Sequence, residues 1–192
     1  MILYLHGFRS SPRSFKARVM GQRMSELGRS EELICPQLPA SPKAAMALAL
    51  TLVERYSADQ LCIVGSSLGG YYATWLAERL GCRAVLLNPA VTALADLDKH
   101  VGVGTAYHSD APFEFKREYI GELAALAVPR ITRPERYFLI AASGDEVLDY
   151  RDMVAYYAGA RQHVIDGGDH AISGFADHVD EVLAFCARDQ AR

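Results

Sequence analysis

The stretch Leu61-Cys62-Ile63-Val64-Gly65-Ser66-Ser67-Leu68-Gly69-Gly70-Tyr71-Tyr72 constrains this chain more than any other. Leu61 to Val64 is a short apolar run with β-branched residues, the pattern of a parallel strand buried on both faces. Gly65-Ser66-Ser67-Leu68-Gly69 fits G-x-S-x-G, a sharp strand-to-helix turn that pushes its central serine, Ser67, clear of the backbone. Tyr71 to Leu80 continues at helical spacing, with Tyr72, Trp75, Leu76 and Leu80 available to one side. The bare motif would arise by chance roughly 0.1 times in a chain this long, so its context decides. A side chain at either flanking glycine would collide with the adjoining strand or helix. The alternative reading is a glycine-rich turn that only packs well.

The remaining strands follow from the same logic. Ile2 to Leu5 reads as a strand ending in His6-Gly7-Phe8, Glu32 to Pro36 as a second, and the elbow strand as the third. Arg83 to Asn88 is the fourth, Arg136 to Ala141 the fifth and Gln162 to Ile165 the last. Helical patterns alternate with them. Ser11-Pro12 supplies an N-cap and a first-turn proline for a helix with Phe15, Val19, Met20, Met24 and Leu27 as its apolar positions, and Gly28 stops it. Ala44 to Tyr56, a helix opened by Asp149 or Tyr150 and running through Tyr157, and Phe175 to Ala187 complete the set. Strands alternating with helices imply an α/β chain with a parallel sheet and helices on both faces. At 192 residues this is one domain.

Val91 to Pro134 breaks the rhythm. It holds a short helical pattern near Leu94 to His100, then Gly102, Gly104 and an aromatic run of Tyr107, Phe113, Phe115 and Tyr119, then a helical pattern over Ile120 to Val128. Two readings stand: a partial lid that gives a substrate an apolar wall, or a surface insertion without substrate contact.

A serine hydroxyl needs a base within reach, and the base needs an orienting acid. Asp145 follows the fifth strand and His170 the sixth, in the order Ser, Asp, His. All three lie just beyond the carboxyl ends of strands, where an open parallel sheet places its ligand site. Among the rival histidines, His163 falls in a strand, His178 in the last helix, and His100 and His108 in the insertion. Asp149 and Asp169 are rivals for the acid, but Asp149 suits a helix cap, and Asp169 adjoins the base, where side chains point apart. The oxyanion of a tetrahedral intermediate would take the backbone N–H groups of Leu68 and Phe8, with His6 holding the Phe8 loop.

Taken together, Tyr4-Leu5-His6-Gly7-Phe8 with Ser10-Ser11-Pro12, Pro36-Gln37-Leu38-Pro39, Gly65 to Trp75, Asn88-Pro89-Ala90, Gly144 to Arg151, and Gly167-Gly168-Asp169-His170 resemble the small bacterial YqiA-like esterases of the α/β-hydrolase superfamily. The resemblance runs almost end to end and is weakest over Val91 to Pro134. It implies a compact hydrolase lacking the first two strands of larger relatives, with sheet order 2-1-3-4-5-6, all parallel. It also implies esterase or thioesterase activity, with Ser67 as nucleophile, Asp145 as acid and His170 as base. The substrate is then a small acyl ester or thioester, and no metal or organic cofactor is called for. A non-catalytic binding protein on the same fold is the reading from another class.

Charge and cysteines narrow the field. A net charge of -3 gives no electrostatic case for nucleic acid. Arg9, Arg13, Lys16, Arg18 and Arg23 cluster on or near the first helix; they form either a solvated face or a handle for an anionic substrate, in which case neutralising Arg13 and Lys16 raises KM for an anionic ester. Cys35, Cys62, Cys82 and Cys186 include no C-x-x-C pair and read as reduced core residues. No targeting segment is visible, and no apolar run approaches the ~20 residues that span a bilayer. A cytoplasmic location without membrane insertion is the expectation, and no feature fixes an oligomeric state.

Overall fold

A computed structural model of the chain describes residues 1–91, 101–105 and 112–187. Its centre is a six-stranded sheet of β1 (Ile2–Leu5), β2 (Leu33–Ile34), β3 (Cys62–Ser66), β4 (Arg83–Leu87), β7 (Tyr137–Ala142) and β8 (Arg161–Ile165). Their spatial order is β2-β1-β3-β4-β7-β8, and every pairing is parallel. Counted within this sheet alone, that is the 2-1-3-4-5-6 order.

Alternation along the strands divides the core in two. Leu3, Leu5, Ile63, Leu86 and Leu139 face one way, against α2 (Pro42–Val53), α3 (Leu68–Leu80), α4 (Glu118–Ala124) and α5 (Tyr150–Tyr156). Ile2, Tyr4, Val64, Val85, Phe138 and Ile140 face the other, against α1 (Phe15–Glu26) and α6 (Val179–Ala187). A sheet covered on both faces explains why its strands read as nearly continuous apolar runs.

Several boundaries differ from expectation. Helix α1 begins at Phe15, not after Ser11-Pro12: the Ser11 hydroxyl accepts the Arg13 N–H and its carbonyl the Ser14 N–H, so these residues close a turn before the helix. Its inner face is Lys16, Ala17, Met20 and Met24, while Phe15 and Leu27 stay 39% and 43% exposed. The stripe is rotated because a lysine fills a position that periodicity assigns to an apolar residue. The closing helix is split: a single turn, Phe175–Asp177, precedes α6, and His178 sits between the two.

The insertion holds an antiparallel hairpin, β5 (Gly102–Thr105) with β6 (Pro112–Phe115), which the glycines and aromatics did not announce. Helix α4 follows it, beginning and ending earlier than the helical pattern over Ile120 to Val128. Tyr71 donates its hydroxyl to the Leu123 carbonyl, and the Glu122 carboxylate accepts from Ser41 and the Lys43 N–H, so α4 is fastened to α2 and α3. The helical pattern near Leu94 to His100, and Tyr107 and His108, lie outside the described residues. Among the described residues no helix is long and apolar enough to cross a membrane.

Candidate active site

The turn between β3 and α3 is strained at one residue. Ser67 has φ 55° and ψ −122°, a conformation that L-residues rarely adopt. It persists because the neighbours over-determine it. The Ser67 N–H donates to the Leu87 carbonyl at 3.1 Å, and its carbonyl accepts from Gly70 and Ala90 at 2.8 and 3.0 Å. A Cβ at Gly65 would overlap the Gly69 carbonyl, and one at Gly69 would overlap the Leu5 carbonyl of β1. Only glycine permits that approach of helix to sheet.

The Ser67 hydroxyl meets the predicted base. Ser67 Oγ lies 3.0 Å from His170 Nε2, and His170 Nδ1 lies 2.8 Å from Asp145 Oδ2. The second Asp145 oxygen, Oδ1, accepts the N–H groups of Val147 and Leu148 at 2.8 and 2.9 Å. The Asp145 side chain is fully buried, and that of His170 is 22% exposed. Burial alone would raise the Asp145 pKa. The hydrogen bonds from His170 and the two backbone amides outweigh it and hold the carboxyl below its ordinary value.

The two residues expected to bind an oxyanion lie in segments that adjoin Ser67. Leu68 is the first residue of α3, so its N–H belongs to the set with no partner inside the helix. A Cβ on Gly7 would lie 3.2 Å from Ser67 Cβ, which places the Gly7 backbone against Ser67. His6 is buried and holds this loop. Its Nε2 accepts the Leu38 N–H at 3.0 Å, so Nδ1 carries the proton and donates to the Gly7 carbonyl at 3.0 Å. The rival residues fall elsewhere: Asp149 caps α5 through the Arg151 N–H, Asp169 binds Ser173, and His163 and His178 stand together by α6.

A model of the uncharacterised protein family UPF0227 matches residues 1–187. The chain belongs to this YqiA-like family. A candidate hydrolase from Agrobacterium vitis S4 shares the fold of this UPF0227 protein at TM-score 0.71 and 18% identity, over 96% of this chain and 87% of that one. Tomato methylketone synthase I, in a variant complexed with β-ketoheptanoate, aligns at TM-score 0.70 and 14% identity, over 97% and 96%. Est1E from Butyrivibrio proteoclasticus with bound ferulic acid aligns at TM-score 0.63 and 13% identity, over 95% and 87%. At these identities the likeness establishes the α/β-hydrolase fold.

Sequence reasoning missed the residues that set the His170 loop of the UPF0227 protein. Asn88, fully buried at φ 44°, accepts the Ala142 N–H at 2.8 Å and donates to the Asp169 and His170 carbonyls at 3.0 and 3.1 Å. Lys16 is buried too, and its Nζ donates to the His170 and Ala171 carbonyls at 3.2 and 2.8 Å. The Glu146 carboxylate accepts the His170 N–H at 3.0 Å. Lys16 is therefore not the anionic-substrate handle considered above, and Arg23 is engaged with Asp180 and Glu26. An asparagine directly before Pro89, at a strand end, was the one available signal.

The hairpin sits over the Gly7-Phe8-Arg9 loop. Phe8 meets Phe113 and Phe115 edge-on, each at 5.2 Å between centroids, and Arg9 donates to the Thr105 carbonyl at 2.6 Å. The loop beside Ser67 thus has an aromatic cover taken from the segment between β4 and β7.

Proposed function

We propose that this protein is a serine hydrolase that cleaves carboxylic esters through an acyl-enzyme. The single observation that carries the reading is the continuous Ser67–His170–Asp145 hydrogen-bonded relay, ending on a serine in a strained turn. Ser67 Oγ attacks the acyl carbon while His170 Nε2 takes its proton. Asp145 stabilises the imidazolium through Nδ1–H and stays ionised. The N–H groups of Leu68 and Phe8 stabilise the oxyanion. His170 returns the proton to the leaving alkoxide, which departs as the alcohol. It then takes a proton from water, whose oxygen attacks the acyl-Ser67 carbon, and the acid leaves as Ser67 regains its proton.

The hairpin and α4 are the substrate-side cover in this proposal, with Phe8, Phe113 and Phe115 as the apolar wall. An acyl-CoA thioesterase would use the same relay, but of the cationic side chains near the first helix that could hold the phosphates of CoA, Lys16 turns inward and Arg23 is paired with Asp180 and Glu26. An oxygen ester should therefore show the higher kcat/KM of a matched ester and acyl-CoA pair.

Intact-mass labelling with a fluorophosphonate tests the reading. Wild type should gain one adduct and turn over p-nitrophenyl esters, while folded Ser67→Ala should do neither. Equal labelling or turnover in Ser67→Ala would overturn the assignment, and an unlabelled, folded wild type would favour a non-catalytic binding protein.

A further inference from the structure

Away from Ser67, the outer end of the sheet carries a second constellation. His163 lies on β8, and His178 and Glu181 lie at the start of α6. One ligand-capable atom from each of the three comes within 4.8 Å of the other two. His163 Nδ1 is 2.8 Å from Glu181 Oε2, and the imidazoles of His163 and His178 meet edge to face at 4.9 Å between centroids. All three side chains are half-buried, so they are accessible yet held. The relay at Ser67 uses none of them.

From this juxtaposition of His163, His178 and Glu181 we propose a binding site for a late first-row divalent metal ion of the zinc class. Two imidazoles and one carboxylate are a donor set that such ions favour, with water completing the coordination. Bonds of about 2.0–2.1 Å require ligand atoms about 3.4 Å apart in a tetrahedral site. The tips of two rings and one glutamate therefore move by on the order of 1 Å. The metal takes the place of the hydrogen bond between His163 Nδ1 and Glu181 Oε2. Arg161 binds the other Glu181 oxygen at 2.6 Å and fixes that carboxylate from behind, as outer partners of metal ligands do. Its positive charge also lowers affinity for a dication.

The position gives the site a consequence. His163 stands before, and His178 after, the segment that carries His170. A metal between them closes this segment at its base and ties β8 to α6. The site is structural and touches no reacting atom.

The test is thermal unfolding of metal-free, full-length protein titrated with Zn2+, with Co2+ as the spectroscopic probe. Zn2+ well above its Kd should raise Tm by about 5 °C or more, and Co2+ should give a visible d–d band. His178→Gln and Glu181→Gln should each abolish both signals while keeping the metal-free Tm within a few degrees of wild type. If one variant fails to fold, the other decides. Absence of a shift in wild type, or equal shifts in wild type and variant, would overturn the proposal.

Discussion

Asn88 ties the end of β4 to β7 and to the loop that carries His170, so its removal is a sharp perturbation of the site. Its amide joins three elements: the end of β4, the Ala142 N–H of β7, and the carbonyls of Asp169 and His170. In Asn88→Ala the His170 carbonyl keeps Lys16 and the Asp169 carbonyl keeps the Ile172 N–H. The buried Ala142 N–H loses this acceptor, at about 1–3 kcal/mol. Holding alanine at φ 44° adds about 1–2 kcal/mol that asparagine largely avoids. The sum is about 2–5 kcal/mol, or a fall in Tm of about 5–15 °C for a chain this size. Below that temperature the protein is folded, but the His170 ring is less well aimed at Ser67. We expect kcat for a p-nitrophenyl ester to fall about 10–100-fold with KM nearly unchanged. Asn88→Asp separates positioning from packing. One carboxylate oxygen can still accept from Ala142, but the other faces two carbonyl oxygens, so kcat should fall at least as far as in Asn88→Ala. A kcat within about twofold of wild type in both variants, alongside the expected loss of stability, would refute a positioning role for Asn88.

Two further predictions concern the same framework. Burial pushes the Lys16 ammonium down to about 8 from 10.5, with the Asp169 and Asp145 carboxylates opposing the shift. Between those values the unfolded chain binds a proton that the folded chain has released, so wild-type stability should rise with pH relative to Lys16→Met. The gain is about 2–3 kcal/mol from pH 7 to pH 10, read from urea midpoints at both; a flat difference would exclude a buried, strained ammonium. Gly69→Ala places a methyl group into the backbone of β1 and should abolish soluble folded protein, whereas Gly21→Ala on α1, where a Cβ meets nothing within 4 Å, should raise stability by up to about 1 kcal/mol. Circular dichroism melts of the pair decide this, and a folded Gly69→Ala with wild-type Tm contradicts the packing account.

What could be read from the sequence was whatever depends on local pattern and chain order. The elbow glycines, Asp145 and His170 were legible because each sits in a short polar or glycine-rich turn after a buried apolar run. The six strands of the sheet were legible for the same reason. Lys16 was not, because amphipathic spacing treats a lysine as solvent-facing, and only the tertiary fold supplies two carbonyls to receive it. Asn88 was visible as part of a motif but had no role until three elements met around it. The hairpin was hidden because each strand is only four residues long, because Gly102, Gly104 and Pro112 are poor strand formers, and because the residues between the strands carry no tight-turn signal. The rotated stripe of α1 is the same failure as Lys16, seen from the helix.

The anchors of the site fall into two groups with different consequences. Ser67 and His170 are fixed by β3, β4, β7 and α1, through backbone carbonyls, Asn88, Lys16 and glycines that admit no side chain. The cover is fixed differently: Phe8 and Arg9 touch the hairpin through ring edges and one exposed guanidinium, and α4 reaches α2 through Glu122. Ring-edge contacts tolerate exchange among apolar side chains, whereas a buried amide holding three partners tolerates almost none. Under the proposed function, selectivity for acyl group or alcohol can therefore change through Phe113 and Phe115 without disturbing the relay. On this reading, exchanging Phe113 for a smaller apolar residue alters preference among esters at nearly constant Tm, while any substitution at Asn88 alters turnover of all of them together.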